Sequence, residues 1–133
     1  MSRYVIDASA ATEYLLRTAL GLKIAGVIED AALLAPELLD IEVLSVLRRA
    51  VLRRQLTEQR ALLAIEDLMG WSIDRIPHRP LVRTAWQHRN NVSAYDAFYI
   101  AAARLADAAL LTADGPLSRA PSLGIAVENI RLS

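Results

Sequence analysis

Apolar residues along this chain form two alternating patterns, short continuous runs and longer runs with helical spacing. The short runs predict buried strands at residues 4–6, 33–35, 109–112 and 125–127, and an alternating run predicts a further strand at 71–76. The longer runs predict helices at residues 8–18, 20–30, 36–55, 57–69, 81–89 and 94–106. Strands separated by helices are typical of an α/β fold in which a mainly parallel sheet is covered on both faces.

Three residues indicate where helices begin. Pro36 suits the first turn of a long helix, because its fixed φ and missing N–H cost nothing there. Thr57 and Ser93 each precede a helical pattern and are typical N-cap residues. In a parallel sheet the ligand site lies outside the carboxyl ends of the strands, so residues between a strand and the next helix become the first candidates for function.

Composition narrows the possible classes of protein and of functional site. The 133 residues suit one domain spanning residues 1–133, and the net charge of zero gives no general indication of a nucleic-acid partner. There is no cysteine, which excludes disulfides, zinc-thiolate sites and cysteine nucleophiles. The amino-terminal apolar run is too short for a signal peptide, and no run approaches the roughly 20 residues needed to cross a bilayer. We therefore expect a soluble cytoplasmic protein without a membrane segment.

Two acids follow predicted strands directly. Asp7 comes after the strand at 4–6, and Asp114 comes two residues after the strand that ends at Thr112. Both would lie at the carboxyl edge of a parallel sheet, where two carboxylates repel each other unless a cation joins them. Each has a purely structural alternative, because Asp7 would also cap the helix that follows it and Asp114 would also suit a turn before Gly115.

Two further acids lie on predicted helices. Asp96 is three residues after Ser93, which matches a capping box with an acid at its third position, and a carboxylate there can also face a sheet edge. Glu42 lies past the first turn of its helix, with no cation one turn away. A carboxylate on a largely apolar face is costly unless it binds a cation or faces solvent, so both interpretations of Glu42 stay open.

Four carboxylates without any cysteine suit a hard cation with oxygen ligands, Mg²⁺ or Mn²⁺. Such an ion can activate water and balance charge on a leaving phosphate oxygen. The sequence on this basis predicts metal-dependent chemistry on a phosphate ester.

Four stretches of the sequence, in order, resemble PIN domains, specifically the VapC-type toxins of bacterial toxin–antitoxin pairs. They are YVIDAS at residues 4–9, LDIEV at 39–43, SAYDAFYIAAA at 93–103 and LLTAD at 110–114. The resemblance covers essentially the whole chain and implies a three-layer α/β/α sandwich with a mainly parallel central sheet. It also implies an endoribonuclease that uses Mg²⁺ or Mn²⁺.

The resemblance assigns roles to particular residues. The catalytic and metal-binding acids are Asp7, Glu42, Asp96 and Asp114. Ser9 and Thr112 match polar positions that hydrogen-bond the acids or the water around the ion. Some family members have a further acid after the fourth one, but residues 115–118 contain none, which argues against a firmly held second ion. Asp40 ranks below Glu42, because it lies about 200° away around the helix.

Substrate and partners also follow from the resemblance. It implies hydrolysis of RNA by metal-activated water, leaving 5′-phosphate and 3′-hydroxyl ends. The sequence contains no base-reading motif, so it does not indicate which RNA is cut. It implies a VapB-type antitoxin as partner and a homodimer. The alternative function is a non-catalytic module that binds RNA or antitoxin. A haloacid-dehalogenase-type phosphatase is disfavoured because Ser9 stands where its second Asp belongs, and a receiver domain because Lys23 is the only lysine.

Other features have two interpretations each. The arginines between Arg48 and Arg60 would form a phosphate-binding patch or a solvated helix end. Leucines on the helices at 36–55 and 57–69 exceed what one sheet needs to cover, so they would form core or a groove for a partner helix. His78 and His88 adjoin no acidic motif, and we expect them at the surface or packed against a partner.

Overall fold

The computed structural model describes residues 2–114 and 124–132. Within this part of the chain, the strands are β1 Arg3–Ile6, β2 Ala32–Pro36, β3 Asp74–Ile76, β4 Ala109–Thr112 and β5 Val127–Asn129. The α-helices are α1 Ala8–Leu15, α2 Ala19–Ile28, α3 Leu38–Leu52, α4 Glu58–Gly70, α5 Val82–Trp86 and α6 Ala94–Ala106. Short 3₁₀ turns cover Arg79–Leu81 and Ile130–Leu132.

The five strands form one sheet in the order β3-β2-β1-β4-β5, and every neighbouring pair is parallel. β1 lies at the centre, where Val5 is opposite Leu34 of β2 on one side and Leu110 of β4 on the other. The chain therefore has the parallel sheet that the apolar runs predict. Its register brings the carboxyl ends of β1 and β4 side by side.

Helices cover both faces of the sheet. The chain moves outward from β1 through β2 to β3, and then returns past β1 to β4. Right-handed crossovers place α1 to α4 on one face and α5 and α6 on the other. The packing agrees, since α1 contacts α2, α3 and α4, while α5 contacts α6. The predicted α/β/α sandwich is confirmed.

The core is built on the central strands and on α6. Val5, Ile6, Leu110 and Leu111 have no exposed surface, as expected for strands covered on both faces. The buried positions of α6 are mostly alanine, and small side chains let this helix lie close to the sheet. α6 contacts β1, β2 and β4, so it spans the strands whose ends carry the acids.

The helix caps at Thr57 and Ser93 are confirmed, but several predicted boundaries are wrong. α1 ends at Leu15 instead of residue 18, and Arg17 takes a left-handed conformation with φ of 56°. Thr18 then caps α2 by accepting from the amide of Gly21. A Cβ on Gly21 would lie 2.0 Å from the carbonyl oxygen of Glu13, so only glycine allows α2 to pack this closely on α1.

Other observed boundaries also differ from the predicted ones, because contacts between elements decide where a strand or helix ends. Pro36 ends β2 opposite Ile76 instead of opening the helix, and α3 begins at Leu38. β3 covers only residues 74–76, and β5 lies at 127–129 instead of 125–127. The predicted helix at 81–89 is regular only over α5. None of the described helices has both the length and the apolar character that crossing a bilayer requires.

Candidate active site

Asp7 is the centre of an acidic pocket at the carboxyl edge of the sheet. It follows β1 directly, and its amide donates to the carbonyl of Leu111 in β4, 3.2 Å away. The side chain is only 5% exposed. Asp114 follows β4 two residues after Thr112 and is half-buried. The adjacency of β1 and β4 therefore brings together two acids that are 107 positions apart in the sequence.

Three neutral donors hold the Asp7 carboxylate. Its Oδ1 accepts from the Ser9 hydroxyl at 2.7 Å and from the Ala10 amide at 3.0 Å. Its Oδ2 accepts from the Thr112 hydroxyl at 2.5 Å. The bond from the Ala10 amide is also the N-cap hydrogen bond of α1. Asp7 therefore caps this helix and belongs to the acidic pocket at the same time. Within the described part of the chain, Asp7 forms no ion pair.

Burial raises the pKa of Asp7 from 3.8 to about 6. The hydrogen bonds from Thr112, Ala10 and Ser9 lower this pKa, but together they do not offset burial, and the Asp114 carboxylate raises it further. The folded protein therefore keeps a carboxylate in a place that disfavours its charge. A cation at the pocket would reverse that balance.

Ser9 and Thr112 also fix the chain after β4. The Ser9 hydroxyl accepts from the Ala113 amide at 2.9 Å, and the Thr112 hydroxyl accepts from the Asp114 amide at 2.9 Å. The two hydroxyl oxygens are 3.3 Å apart. These hydroxyls therefore connect the backbone that carries Asp114 to the Asp7 carboxylate.

Arg131 supports the same segment from outside the pocket, and no sequence pattern predicted this contact. Its Nε donates to the Ala113 carbonyl at 2.9 Å, and its Nη2 lies 3.5 Å from a carboxylate oxygen of Glu13. Arg131 belongs to the last 3₁₀ turn and Glu13 to α1. The contact joins three distant segments, so no local pattern marks it.

Asp96 and Glu42 approach the pocket from helices on opposite faces of the sheet. Ser93 caps α6 by accepting from the Asp96 amide at 3.1 Å, which places the Asp96 carboxylate in the first turn. Burial raises the pKa of Asp96, and the carboxylates of Asp114 and Glu42 raise it further. Because each acid acts on its neighbours, the structure brings the four predicted acids into one electrostatic cluster.

Tyr99 lies beneath this cluster and was not among the predicted site residues. It is one turn after Asp96 on α6, and its side chain is fully buried. Burial raises the pKa of its hydroxyl far above the ordinary value, and the carboxylates of Glu42, Asp7 and Asp96 add to this. The spacing from Asp96 places both side chains on one helix face, which is the signal that would have identified Tyr99.

Asp40 has a different role from Glu42. Arg75 holds it with two hydrogen bonds, from Nη2 at 2.8 Å and from Nε at 3.3 Å. The same guanidinium donates to the carbonyls of Trp71 and Ile73. Asp40 thus helps Arg75 fix the chain that enters β3, which agrees with its lower rank as a site residue.

The expectation that the histidines lie at the surface or against a partner is wrong for His88. His88 is buried, and its Nε2 has no hydrogen-bond partner among the described residues. His78 is half-buried, and its Nε2 accepts from the Leu38 amide at 2.8 Å. His78 therefore caps α3, where Glu37 makes no side-chain cap.

The donor chemistry of the pocket fits Mg²⁺ or Mn²⁺. All four acids offer oxygen, and the buried Asp7 carboxylate lacks a cation among its described partners. Within residues 2–114 and 124–132, no three acids or histidines converge closely enough to ligate one ion together. Mg²⁺ takes only one or two protein carboxylates and keeps several waters, so an ion held partly through water suits this arrangement. Residues 115–118, which lack a further acid, lie outside the described residues.

An apolar groove lies between α3 and α4. Leu44, Leu52 and Leu62 are among the apolar residues that line its roughly 390 Å³, and all three are about half exposed or more. Arg48 lies at its edge and is exposed. Arg60 is different, because its guanidinium donates to the Leu15 carbonyl at 2.9 Å and so supports the packing of α4 on α1.

Comparison with known proteins gives a consistent family. The PIN domain family model matches residues 4–123. Ribonuclease VapC1 of Mycobacterium tuberculosis is 38% identical over 133 residues, which cover 98% of this chain and 100% of that protein. PAE2754 from Pyrobaculum aerophilum superposes with a TM-score of 0.69 at 21% identity, covering 98% of this chain and 85% of that one.

A toxin–antitoxin structure is also similar. VapBC2 from Rickettsia felis, determined bound to a DNA fragment from their promoter, superposes with a TM-score of 0.65 at 14% identity. The match covers 96% of this chain and 98% of that chain. At such low identity this structure and PAE2754 show the shared fold alone, and the family rests on the sequence matches.

Proposed function

Since the chain belongs to the PIN domain family and, within it, to the VapC ribonucleases, we propose that it is a metal-dependent endoribonuclease and the toxin of a VapBC-type pair. The observation that supports this most directly is the pocket at the carboxyl edge of the sheet. There Asp7 is buried with no cation among its described partners. Burial, Asp114 and Glu42 all raise the pKa of the neighbouring Asp96. Asp40, by contrast, is paired with Arg75.

The proposed roles follow from the surroundings of each acid. Asp7, Glu42, Asp96 and Asp114 would hold Mg²⁺ or Mn²⁺, directly or through water. When bound, the ion supplies an activated water and balances charge on the leaving 3′ oxygen. Ser9 and Thr112 hold Asp7 in a single orientation through their hydroxyls. The ion, and with it the phosphate, would then meet a carboxylate that is already in place.

Hydrolysis by water, without a covalent intermediate, is the reaction that suits these side chains. The Ser9 hydroxyl donates to Asp7 and accepts from Ala113, and the Thr112 hydroxyl donates to Asp7 and accepts from Asp114. Both are therefore engaged and poorly placed to attack phosphorus. We expect products with 5′-phosphate and 3′-hydroxyl ends, because water and not the ribose 2′-hydroxyl attacks.

The test is cleavage of total RNA by the purified chain, with product ends identified by enzymatic labelling. We expect cleavage with Mg²⁺ or Mn²⁺, none with a chelator, and none from Asp7→Asn. Undiminished cleavage in the chelator or 2′,3′-cyclic phosphate ends would overturn the mechanism. RNA binding without cleavage under any metal would favour a non-catalytic module. Mapping RNA ends in cells that express wild type or Asp7→Asn would identify the target.

The groove between α3 and α4 is the surface we assign to a VapB-type antitoxin. Its lining is mostly apolar, and a groove between two helices is the kind of surface that an amphipathic helix fills with its apolar face. Leu62→Asp should weaken the complex with a co-expressed VapB-type antitoxin by at least roughly 10-fold, because a charge replaces buried apolar contact. RNA cleavage by the free toxin should stay unchanged. Equal affinity of variant and wild type would remove the groove from the interface.

A homodimer is proposed through the apolar surface of α5. Val82 and Trp86 are more than half exposed there, and they line a pocket with Phe98 of α6. An exposed tryptophan beside apolar neighbours is typical of a contact between subunits. Light scattering should give a dimer for wild type and a monomer for Trp86→Glu. A wild-type monomer at all concentrations would contradict it.

A further inference from the structure

The Tyr99 hydroxyl is a polar group buried in the protein core. The side chain is 1% exposed, and the hydroxyl makes no complete hydrogen bond to any described residue. Buried hydroxyls are rarely left in this state, because the group loses its bonds to water without replacing them. The position of Tyr99 therefore needs an explanation that its ring packing does not supply.

Among the carboxylates that act on this hydroxyl, Glu42 acts most strongly, through its position as a hydrogen-bond acceptor as well as through its charge. Burial, Glu42, Asp7 and Asp96 all raise the pKa of Tyr99, so the hydroxyl keeps its proton and acts toward these carboxylates only as a donor. α6 and α3 lie on opposite faces of the sheet, so Tyr99 and Asp96 come from one face and Glu42 comes from the other.

Glu42 needs such a donor more than the other acids do. Asp7 has three hydrogen bonds, and Asp96 lies in the capped first turn of α6. Glu42 has a longer side chain with more free torsions, and it lies beside Val43, which is fully buried. We propose that Tyr99 is a positioning residue whose hydroxyl donates to the Glu42 carboxylate and holds it toward the rest of the acid cluster.

This inference rests on the proposed metal-dependent function, and Tyr99→Phe is the variant that tests it. The change removes only the hydroxyl and keeps the buried ring. Tyr4→Phe is the matched control, because Tyr4 also presents its hydroxyl to a carboxylate, that of Glu128, outside the pocket. Both variants are measured as the full chain.

The first readout is Mn²⁺ affinity without RNA, by calorimetry. We expect Tyr99→Phe to weaken Mn²⁺ binding by roughly 3- to 10-fold, in the range for residues that orient metal ligands. The melting temperature in a chelator should stay close to that of wild type, because the variant keeps the buried ring. RNA cleavage should lose about the same factor in kcat with KM nearly unchanged. Tyr4→Phe should match wild type in affinity and cleavage.

A second pair of variants tests whether Tyr99 acts through Glu42. On a Glu42→Gln background, Tyr99→Phe should have little further effect, because the carboxylate it positions is gone. In metal-free protein labelled with ¹³C-tyrosine, Glu42→Gln should shift the ζ-carbon resonance of Tyr99 and leave that of Tyr4 in place.

The outcomes separate the two proposals. If wild type binds Mn²⁺ and cleaves RNA while Tyr99→Phe does both equally well, the positioning role is wrong and the proposed function stands. The positioning role is also overturned if Glu42→Gln leaves the Tyr99 resonance in place. The same holds if Tyr99→Phe lowers Mn²⁺ affinity and cleavage equally on the wild-type and Glu42→Gln backgrounds. If wild type neither binds Mn²⁺ nor cleaves RNA, the proposed function fails and the positioning role fails with it.

Discussion

The acid cluster has two halves that are held in different ways. In the strand half, Asp7 is fixed by three neutral donors, and the backbone of Asp114 is fixed by the Thr112 hydroxyl. In the helix half, Asp96 and Glu42 come from opposite faces of the sheet, and both carboxylates act on the buried Tyr99 hydroxyl. The strand half is held by hydrogen bonds from neighbouring residues, whereas the helix half depends on how two helices pack on the sheet.

A fifth acid, Asp40, shows what this difference means. Asp40 lies two residues before Glu42, yet Arg75 neutralises it with two hydrogen bonds. Hydrogen bonds from neutral donors orient a carboxylate and leave its charge available, whereas a guanidinium compensates that charge. Asp7, which has only neutral donors among its described partners, is therefore better suited to bind an ion than Asp40 is. Four experiments would break or sharpen this comparison.

The largest effect is expected from Asp7→Asn. The amide keeps the size of the side chain but removes the charge at the centre of the strand half. RNA cleavage should fall by roughly 10³-fold, more than the 10- to 100-fold typical of lost supporting bonds. Initial cleavage rates with saturating Mg²⁺ measure it. A decrease of less than tenfold would show that Asp7 is not the centre of the site.

A pH series on metal-free protein tests the cost of the Asp7 charge. The pKa in the folded state, about 6, lies above the ordinary 3.8, so between these values the folded protein keeps a proton that the unfolded chain has lost. Stability from this group is complete below about pH 4 and is lost as pH rises through 6. The full loss is about 3 kcal/mol.

Urea unfolding of wild type and Asp7→Asn between pH 4 and pH 7.5, with a chelator, measures this cost. The difference between the two proteins isolates Asp7, because all other groups are shared. Asp7→Asn should gain stability relative to wild type as pH rises. A constant difference across the series would show that burial does not disfavour the Asp7 charge.

The double variant Ser9→Ala, Thr112→Val tests the neutral donors. It removes two of the three bonds to Asp7 and releases the amides of Ala113 and Asp114. Mn²⁺ affinity and cleavage should fall by roughly 10- to 100-fold, less than for Asp7→Asn. Calorimetry and cleavage rates on the same preparation measure both. Unchanged affinity would mean that the strand half does not need its hydroxyls.

The smallest effect is expected from Asp40→Asn, the control for a structural acid. Arg75 keeps its bonds to backbone carbonyls, and the Asp40 side chain is 43% exposed, so stability should fall by less than about 1 kcal/mol. Cleavage should stay within about twofold of wild type. Thermal unfolding and cleavage assays measure the two effects. A large loss of cleavage would place Asp40 in the site and contradict its pairing with Arg75 as its main role.

Local signals in the sequence determined most of the framework. The apolar runs gave β1 and β4, the N-caps at Thr57 and Ser93 gave the starts of α4 and α6, and the alternation of strands and helices gave a parallel sheet. Each of these signals depends on residues within one or two turns of one another, so it can be recognised from a short stretch of sequence. Asp7, Asp96 and Asp114 were recognisable for the same reason, since each lies at a fixed distance from a strand end or a helix cap, whereas Glu42 was assigned through the resemblance to PIN domains.

Only the tertiary structure decided how distant segments meet. Pro36 lies in β2 because Ile76 pairs with it, α3 is capped by His78 from 40 residues away, and Asp40 is neutralised by Arg75. The contact between Tyr99 and Glu42 depends on the packing of two helices across one sheet. Such contacts depend on register and packing between elements, which periodicity and propensity within each element do not specify.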